Sequence, residues 1–280
     1  MGLGRAGLAR RRALSVRSDC AIVVECSRRD PDRPEYEDVL KSAVDAIALC
    51  RESGRHAEDT LAALRAGKHV LVEYPLAMTA REAQLIMAEA QRVERLVHVG
   101  HLMLLSPFHA QVAEVISTTR LSTFKYTFRA GYGRAVRTLA ESQAWGQNAN
   151  SRLQALWSWF GPLRLRSSKV ELRNDGYQLT AEFVDSDGAL VTLCESRIEG
   201  QSRRRELTGL TISNDPVRWP KVESWRGGFV ADTEQCVGRL KGLIEDPYVS
   251  LSALVDVVAL SEKISSQSEI VDIGSGPDSR

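Results

Sequence analysis

The stretch Lys68-His69-Val70-Leu71-Val72-Glu73-Tyr74-Pro75-Leu76 decides the fold. An unbroken apolar, largely β-branched run of this length is typical of a parallel strand that helices cover on both faces. A carboxylate, an aromatic hydroxyl and a proline follow at its carboxyl end. Ligands bind at that end in open α/β sheets. Glu73 and Tyr74 are therefore the first candidate site residues.

Length and composition bound the class of protein. The chain has 280 residues, 43% hydrophobic and 26% charged, which favours two domains. A formal net charge of +1 argues against nucleic acid as a partner. No apolar run reaches the roughly 18 residues that cross a bilayer, so no membrane partner is expected. Five scattered cysteines without CxxC spacing favour a reducing compartment, the cytoplasm, and no residues show metal-ligand spacing.

The amino terminus carries a GxGxxG pattern followed by a helix-forming run. Such a turn places a dinucleotide pyrophosphate at a helix N-terminus. The pattern alone is weak, and residues 1–18 are also rich in arginine and free of acids, as a transit peptide would be. We favour the cofactor interpretation, in which the contacting residues are Gly2, Gly4, Arg5, Ala6 and Gly7.

A second strand is predicted over residues 21–26, and its end bears on the choice of cofactor. The chain reads Glu25-Cys26-Ser27-Arg28-Arg29 about 20 residues after the last glycine, where an acid binds the ribose of NAD or an arginine accepts the 2′-phosphate of NADP. We interpret Ser27, Arg28 and Arg29 as the phosphate contact, which favours NADPH over NADH. The alternative is that the two arginines merely begin a solvated loop.

Strands and helices alternate through the rest of the first half, as in a doubly wound domain. Strands are predicted over residues 44–50, 68–73 and 96–99, and helices over 56–66 and 79–93. Thr79 and Glu82 form a predicted capping box. We predict a Rossmann-type dinucleotide-binding domain over residues 1–103. Further candidates lie at the carboxyl ends of its strands: Cys50 and His56 for the cofactor, His101 and Met103 for the substrate.

The second half has the alternation of an α+β substrate-binding domain, predicted over residues 104–280. Its long alternating segments and Asx-Gly turns predict a large, mostly antiparallel open sheet. The open face would serve either as a substrate floor or as a surface for a homo-oligomer. Arg129, with Arg134 and Arg137, is a candidate contact for anionic substrate groups. The alternative for these arginines, and for the run of residues 203–205, is a solvated sheet edge.

Several of these motifs together resemble one known family. The glycine turn, the segment Ala66-Gly67-Lys68-His69-Val70-Leu71-Val72-Glu73 followed by x-Pro, and a carboxyl-terminal open sheet look like the glucose-fructose oxidoreductase and inositol dehydrogenase (Gfo/Idh/MocA) superfamily. Most members carry a catalytic lysine before the proline. Here that residue is Tyr74, and Glu-Tyr-Pro resembles the biliverdin reductase branch.

Other segments extend the resemblance along most of the chain. GLGRAGLARRR at residues 2–12 resembles the turn and helix of that branch, and Ser27-Arg28-Arg29 resembles its NADPH phosphate contact. Ser151-Arg152-Leu153, with the later Trp157 and Phe160-Gly161, resembles the helix beside its substrate pocket. The run Trp225-Arg226-Gly227-Gly228-Phe229, continued to Asp232-Thr233, looks like the entry to its penultimate helix. The resemblance implies that Arg152 and Arg226 contact the substrate.

The residue types at the corner indicate the direction of the chemistry. Oxidation of an alcohol needs a base such as lysine, whereas tyrosine, with an unperturbed pKa of about 10, is a poor one. Tyr74 therefore favours reduction of a polarised, conjugated acceptor. In biliverdin, hydride would go to the central methine carbon and a proton to a pyrrole nitrogen. Arg152 is the leading candidate to orient a water or a propionate, and Glu73 is a further catalytic candidate.

One departure from the family leaves the substrate open. The branch usually carries glutamates near the pocket where this chain reads Gly100-His101-Leu102-Met103. We therefore keep three alternatives. The protein reduces a small molecule of the bilin class, it reduces another conjugated imine or enamine, or it is a catalytically silent cofactor-fold protein.

A first strand normally precedes the glycine turn, yet only Met1 precedes Gly2. Without that strand the neighbouring strands lack hydrogen-bond partners. We expect a chain extended upstream by about ten apolar residues, a strand's length, to bind NADPH more tightly than residues 1–280 do. Fluorescence titration measures this, and equal affinity would count against the expectation.

Overall fold

The computed structural model describes residues 2–27, 32–131, 143–221 and 225–273. Packing divides the chain into two units. The first comprises Met1–Ser106 and Trp225–Val258, and the second comprises Pro107–Ser224 and Ala259–Arg280. The division predicted at residue 103 did not include the return of Trp225–Val258 to the first unit. That residues 1–103 and 104–280 are a cofactor-binding and a substrate-binding domain stays a prediction.

Helices of the described residues occur in both units. In chain order they are α1 (Arg5–Ser15), α2 (Tyr36–Lys41), α3 (His56–Arg65), α4 (Ala80–Arg92), α5 (Pro107–Thr118), α6 (Trp145–Phe160), α7 (Gly228–Leu240) and α8 (Leu251–Gln267). None of these described helices has the length and hydropathy needed to cross a membrane.

The first unit is built on a three-stranded parallel sheet. Its strands lie in the order β1 (Ala46–Leu49), β2 (His69–Glu73) and β3 (Val97–Gly100). The central strand is β2, and the side chains of its apolar run are buried, as the sequence predicted. Leu49 lies opposite Val72, and Glu73 lies opposite Gly100. All three strands therefore end at the same edge, where the candidate residues follow.

The capping box predicted at the start of α4 is present. The Thr79 hydroxyl accepts a hydrogen bond from the Glu82 backbone N–H at 3.2 Å, and the Glu82 carboxylate accepts one from the Thr79 backbone N–H at 3.0 Å. These bonds satisfy N–H groups that the first turn of a helix leaves without partners. Because the device uses residues three apart, the sequence alone was sufficient to predict it.

The prediction of a strand over residues 21–26 is wrong. These residues lack strand pairing, and β2 is the strand that pairs with β1 in the described chain. A cavity of about 480 Å³ is lined both by this segment and by β1, with largely apolar side chains such as Val24 and Ile47. A strand forms where a neighbour supplies its hydrogen bonds, and this space holds no described neighbour. Whether an upstream strand occupies it stays a prediction.

The second unit contains a six-stranded mixed sheet in the order β8-β4-β7-β6-β5-β9. Its strands are β4 (Leu121–Ala130), β5 (Arg164–Arg173), β6 (Gly176–Val184), β7 (Leu190–Ile198), β8 (Arg204–Thr211) and β9 (Glu269–Asp272). The pairs β4–β8, β5–β6 and β6–β7 are antiparallel, and β4–β7 and β5–β9 are parallel. The predicted fold class, a Rossmann-type parallel sheet followed by an α+β unit with a larger sheet, is confirmed.

One face of this sheet belongs to the core. Along β4, Phe124, Tyr126 and Phe128 are buried, while Arg129 is exposed. The Trp159 ring of α6 lies 5.9 Å from the Phe124 ring and 6.1 Å from the Tyr126 ring, between centroids. Because successive side chains of a strand point to opposite faces, α6 covers one face and Arg129 lies on the other.

The contact between α6 and α8 requires a glycine. A Cβ built on Gly146 would lie 1.8 Å from the backbone oxygen of Ser261. We expect Gly146→Ala to lower the free energy of unfolding by about 1–3 kcal/mol, because overpacking forces the helices apart. Urea denaturation measures the loss. Gly54→Ala is the control, since a Cβ at Gly54 meets no atom within 4 Å; equal losses in both variants would contradict the prediction.

Candidate functional site

The glycines of the turn differ in why a side chain is absent: two are required by packing, and one leaves the helix N-terminus open. Gly2 has φ +86°, and its Cβ would lie 2.5 Å from the carbonyl oxygen of Cys50; a Cβ on Gly7 would lie 1.8 Å from the Gly2 oxygen. Both glycines are therefore required by packing of the chain on itself. A Cβ on Gly4 would meet no atom within 4 Å, and Gly4 is exposed at the N-cap of α1 without a side-chain cap. This open N-terminus fits a phosphate group, with Arg5 exposed beside it.

The other candidates near β1 are tied to the backbone. The ring nitrogens of His56 lie 2.7 Å from the Pro75 carbonyl oxygen and 3.0 Å from the Arg51 carbonyl oxygen. His56 therefore joins the segments after β1 and β2, and neither ring nitrogen is left over for a cofactor. Burial raises the pKa of the Cys50 thiol to about 11, so the thiol is uncharged at neutral pH.

Glu25, the acid in the segment predicted to lie near the cofactor ribose, is already paired. One carboxylate oxygen of Glu25 forms an ion pair with the Arg11 guanidinium at 2.9 Å, and the other forms an ion pair with the Arg33 guanidinium at 2.6 Å. Ser27 is half-buried. Arg28 and Arg29 lie outside the described residues. The described part of the segment thus presents a neutralised acid rather than a free carboxylate.

A charged cluster is buried at the carboxyl end of β2. The Arg10 Nε donates to the Glu73 carboxylate at 2.8 Å, and the same guanidinium forms an ion pair with Asp232 of α7. Arg10 is 1% exposed and Asp232 is fully buried. Burial raises the pKa of Glu73, an effect that the Arg10 charge opposes. Burial also acts to raise the pKa of Asp232, but the His98 hydrogen bond and the Arg10 charge outweigh it, so that pKa is lowered.

Asp232 also connects this cluster to β3. The His98 Nε2 lies 2.9 Å from Asp232, and the Tyr248 hydroxyl donates a short hydrogen bond to the same carboxylate oxygen. The Tyr248 oxygen in turn accepts a hydrogen bond from the backbone N–H of His101 at 2.9 Å. Asp232 therefore binds groups from α1, from β3 and from the segment after α7.

Tyr74 and His101 meet at the ends of β2 and β3. Their rings are stacked, with centroids 5.6 Å apart and planes inclined by 17°. Burial lowers the pKa of His101 to about 3, so the imidazole is neutral at pH 7. Tyr74 is half-exposed, and half-buried Met103 follows in a short 3₁₀ turn. The corner thus offers a flat, uncharged stack beside a buried charge network.

Arg152, the leading candidate of the second unit, lies in a buried ion cluster. Its guanidinium binds Glu195 through Nε at 3.0 Å and through Nη2 at 2.7 Å, and also contacts Ser151. Arg197 donates to the same Glu195 carboxylate at 2.5 Å. Both guanidinium groups stack on the Phe128 ring, 4.7 and 4.6 Å from its centroid. Two guanidinium groups therefore share the Glu195 carboxylate.

The structure brings together some predicted residues and separates others. Glu73, Tyr74 and His101 meet at one corner. Arg129 lies on the opposite sheet face from Arg152, and Arg226 is exposed ahead of α7. Arg134 and Arg137 lie outside the described residues.

Sequence reasoning missed the partners of Glu73. Arg10 had a signal, since Gly7, Arg10 and Ala13 recur every three residues on the buried side of α1. Gly100 had no such signal, because only the structure shows that a Cβ there would lie 2.3 Å from the Arg10 Nη2. Asp232 was identified only as part of the motif at the entry to a helix, and Tyr248 had no signal. The partners of both depend on contacts with residues far away in the chain.

The sequence of this chain is similar to those of known oxidoreductases. A family model described as an oxidoreductase family with an NAD-binding Rossmann fold matches residues 6–101. Biliverdin reductase A of Mus musculus is 29% identical over 260 residues, which make up 87% of this chain and 85% of that protein.

Solved structures show the same fold. Biliverdin reductase from Synechocystis sp. PCC 6803, in complex with biliverdin and NADP⁺, has a TM-score of 0.79 at 20% identity, covering 94% of this chain and 96% of that one. GenD2 from gentamicin A biosynthesis, in complex with NAD, also has a TM-score of 0.79, at 15% identity, covering 95% and 92%. Structures bound to NADP⁺ and to NAD are therefore equally similar in fold.

Glu195 is expected to be essential for the stability of the second unit. Glu195→Gln removes the charge that Arg152 and Arg197 share, and breaking a buried ion pair costs about 3–5 kcal/mol. Urea denaturation measures the loss. Glu199→Gln, at an exposed position just after β7, is the matched control and should change stability by less than about 0.5 kcal/mol. Similar losses in both variants would refute the prediction.

Proposed function

Because this chain belongs to the Gfo/Idh/MocA oxidoreductase superfamily, on its biliverdin reductase-like branch, we propose that it is an NADPH-dependent reductase of biliverdin or a similar linear tetrapyrrole. One observation carries the choice of substrate class. Tyr74 stands at the ligand end of β2, where most members carry lysine, and its ring is stacked on His101.

The corner suits reduction better than alcohol oxidation. An alcohol substrate needs a base for its hydroxyl proton. A phenol is a poor base at neutral pH, and an imidazole whose pKa is lowered to about 3 is a weak one. A conjugated, electron-poor acceptor needs mainly a surface to stack on and a fixed orientation. Tyr74 supplies both in this proposal.

The proposed cofactor is NADPH, held at its pyrophosphate by the turn Gly2 to Gly7 and at its 2′-phosphate by Ser27, Arg28 and Arg29. Glu25 supports this choice, because arginines occupy both of its oxygens and a paired carboxylate is a poor acceptor for the ribose hydroxyls of NADH. When bound, NADPH supplies the hydride that the central methine carbon of the bilin accepts. Cys50 and Glu73 are the further cofactor contacts in this proposal.

We propose that Arg152 orients the substrate and does not give up a proton. Its guanidinium is bound to Glu195 and Ser151, and arginine stays protonated in proteins. Two guanidinium groups side by side, Arg152 and Arg197, suit a propionate carboxylate. Met103, Arg129 and Arg226 remain proposed substrate contacts.

A second candidate function is reduction of another conjugated imine or enamine. It is favoured by Gly100-His101-Leu102-Met103, which stand where glutamates are usual near the pocket on the biliverdin reductase branch. The third alternative, a catalytically silent cofactor-fold protein, is favoured by the cavity beside β1.

We also propose that the protein works in the cytoplasm, where its five unlinked thiols suit reducing conditions. For the open face of the sheet carrying Arg129, we keep two proposals: a substrate floor or the surface of a homo-oligomer.

The deciding assay mixes the protein with NADPH and biliverdin and follows the absorbance change from green to yellow. Conversion is the expected result. NADPH binding without conversion would favour the imine reductase, and failure of NADPH to bind would favour the silent protein.

The phosphate contact is tested by Arg28→Ala. We expect the dissociation constant for NADPH to rise by about tenfold or more, because charge-assisted hydrogen bonds contribute about 1.5–3 kcal/mol, while that for NADH stays unchanged. Fluorescence titration measures both, with the exposed Arg12→Ala as the matched control. An equal loss for the two cofactors would exclude the 2′-phosphate assignment.

A further inference from the structure

The structure assigns a role to Asp232 that goes beyond the proposed reaction and rests on it. We propose that Asp232 is a positioning residue, which holds the Glu73-Tyr74 corner from two sides so that Tyr74 presents a fixed surface to the substrate. Asp232 lies on α7, is fully buried, and has no contact with Tyr74 among its described hydrogen bonds. Any effect on Tyr74 must therefore pass through other residues.

The first connection runs through Arg10 to Glu73. The guanidinium lies between the two carboxylates, paired with Asp232 and 2.8 Å from the Glu73 oxygen. The Phe229 ring lies 5.0 Å from the guanidinium, and Gly100 leaves the space that its Nη2 occupies. Because the cation is enclosed, its position fixes the Glu73 side chain, and Glu73 immediately precedes Tyr74.

The second connection runs through Tyr248 to His101. The Tyr248 hydroxyl donates its hydrogen bond to Asp232, lies 3.0 Å from the Val99 carbonyl oxygen, and accepts from the His101 N–H at 2.9 Å. The His101 ring then stacks on Tyr74. One carboxylate thus fixes the residue before Tyr74 and the ring beneath Tyr74.

Stability alone is a poor reason for such a cluster. Buried ion pairs contribute little more than well-packed apolar residues of similar volume would, and often less. What ion pairs and hydrogen bonds supply is direction, since each distance and angle is defined. The two connections end on either side of a half-exposed aromatic ring, which is the position where direction would matter for a stacked substrate.

The test compares Asp232→Asn with Glu234→Gln, an exposed position on the same helix. Asparagine keeps the shape of Asp232 but removes the charge that holds Arg10. We expect amide exchange in residues 73–78 and 101–105, followed by mass spectrometry on the free protein, to accelerate about tenfold or more while the rest of the chain is unchanged. Glu234→Gln should behave as the parent protein.

Kinetics supply the second readout. We expect Asp232→Asn to lower kcat by about tenfold or more, with the dissociation constant for NADPH within about twofold, because misplacement of the corner affects the reacting complex rather than cofactor binding. In a Tyr74→Ala background the same change should cost less than about twofold, since the group to be positioned is gone. An equal fold-loss in both backgrounds would overturn the proposal.

Tyr248→Phe keeps the test decisive if Asp232→Asn fails to fold. It removes one hydroxyl while keeping the ring, and should accelerate exchange at residues 101–105 more than at 73–78. Unchanged exchange at both segments would overturn the proposal. A protein that neither binds NADPH nor reduces biliverdin would refute the proposed function, whereas the exchange measurement would still decide whether Asp232 holds the corner.

Discussion

The guanidinium of Arg10 is the constraint on which the first unit depends. A charge enclosed in protein costs several kcal/mol unless counter-charges and hydrogen bonds surround it. Glu73 supplies one counter-charge from β2, and Asp232 supplies the other from α7. The segment Trp225–Val258 is therefore part of the first unit for an electrostatic reason as well as for its packing. The parallel sheet alone would leave Arg10 with one carboxylate.

Local patterns were sufficient to predict the elements whose causes are local. The apolar run of β2 and the capping box at Thr79 are set by residues within a few positions of one another, and both are present. The strand expected at residues 21–26 has an equally apolar sequence, yet it lacks strand pairing. A strand is a property of a pair of segments, so its sequence alone does not decide whether it forms.

The candidate site also contains residues that local patterns identify and residues that they do not. Glu73 and Tyr74 were identified because they follow a recognisable strand, and the resemblance to a known family pointed to Arg152. The residues that fix them, Asp232 for the first and Glu195 for the second, come from distant parts of the chain. Alternation along β7 indicates that Glu195 points inward, but which cations it meets depends on the packing of α6. Long-range partners of this kind are beyond a single sequence.

The segment beside β1 has a practical consequence. Ile22 and Val23 are 39% and 71% exposed in a run of apolar residues without strand pairing. Short, uncharged, β-prone segments that face solvent are templates for intermolecular pairing. Turbidity that grows with protein concentration would then originate here rather than at the polar face of the larger sheet, and a lysine placed at Val23 would act as a gatekeeper.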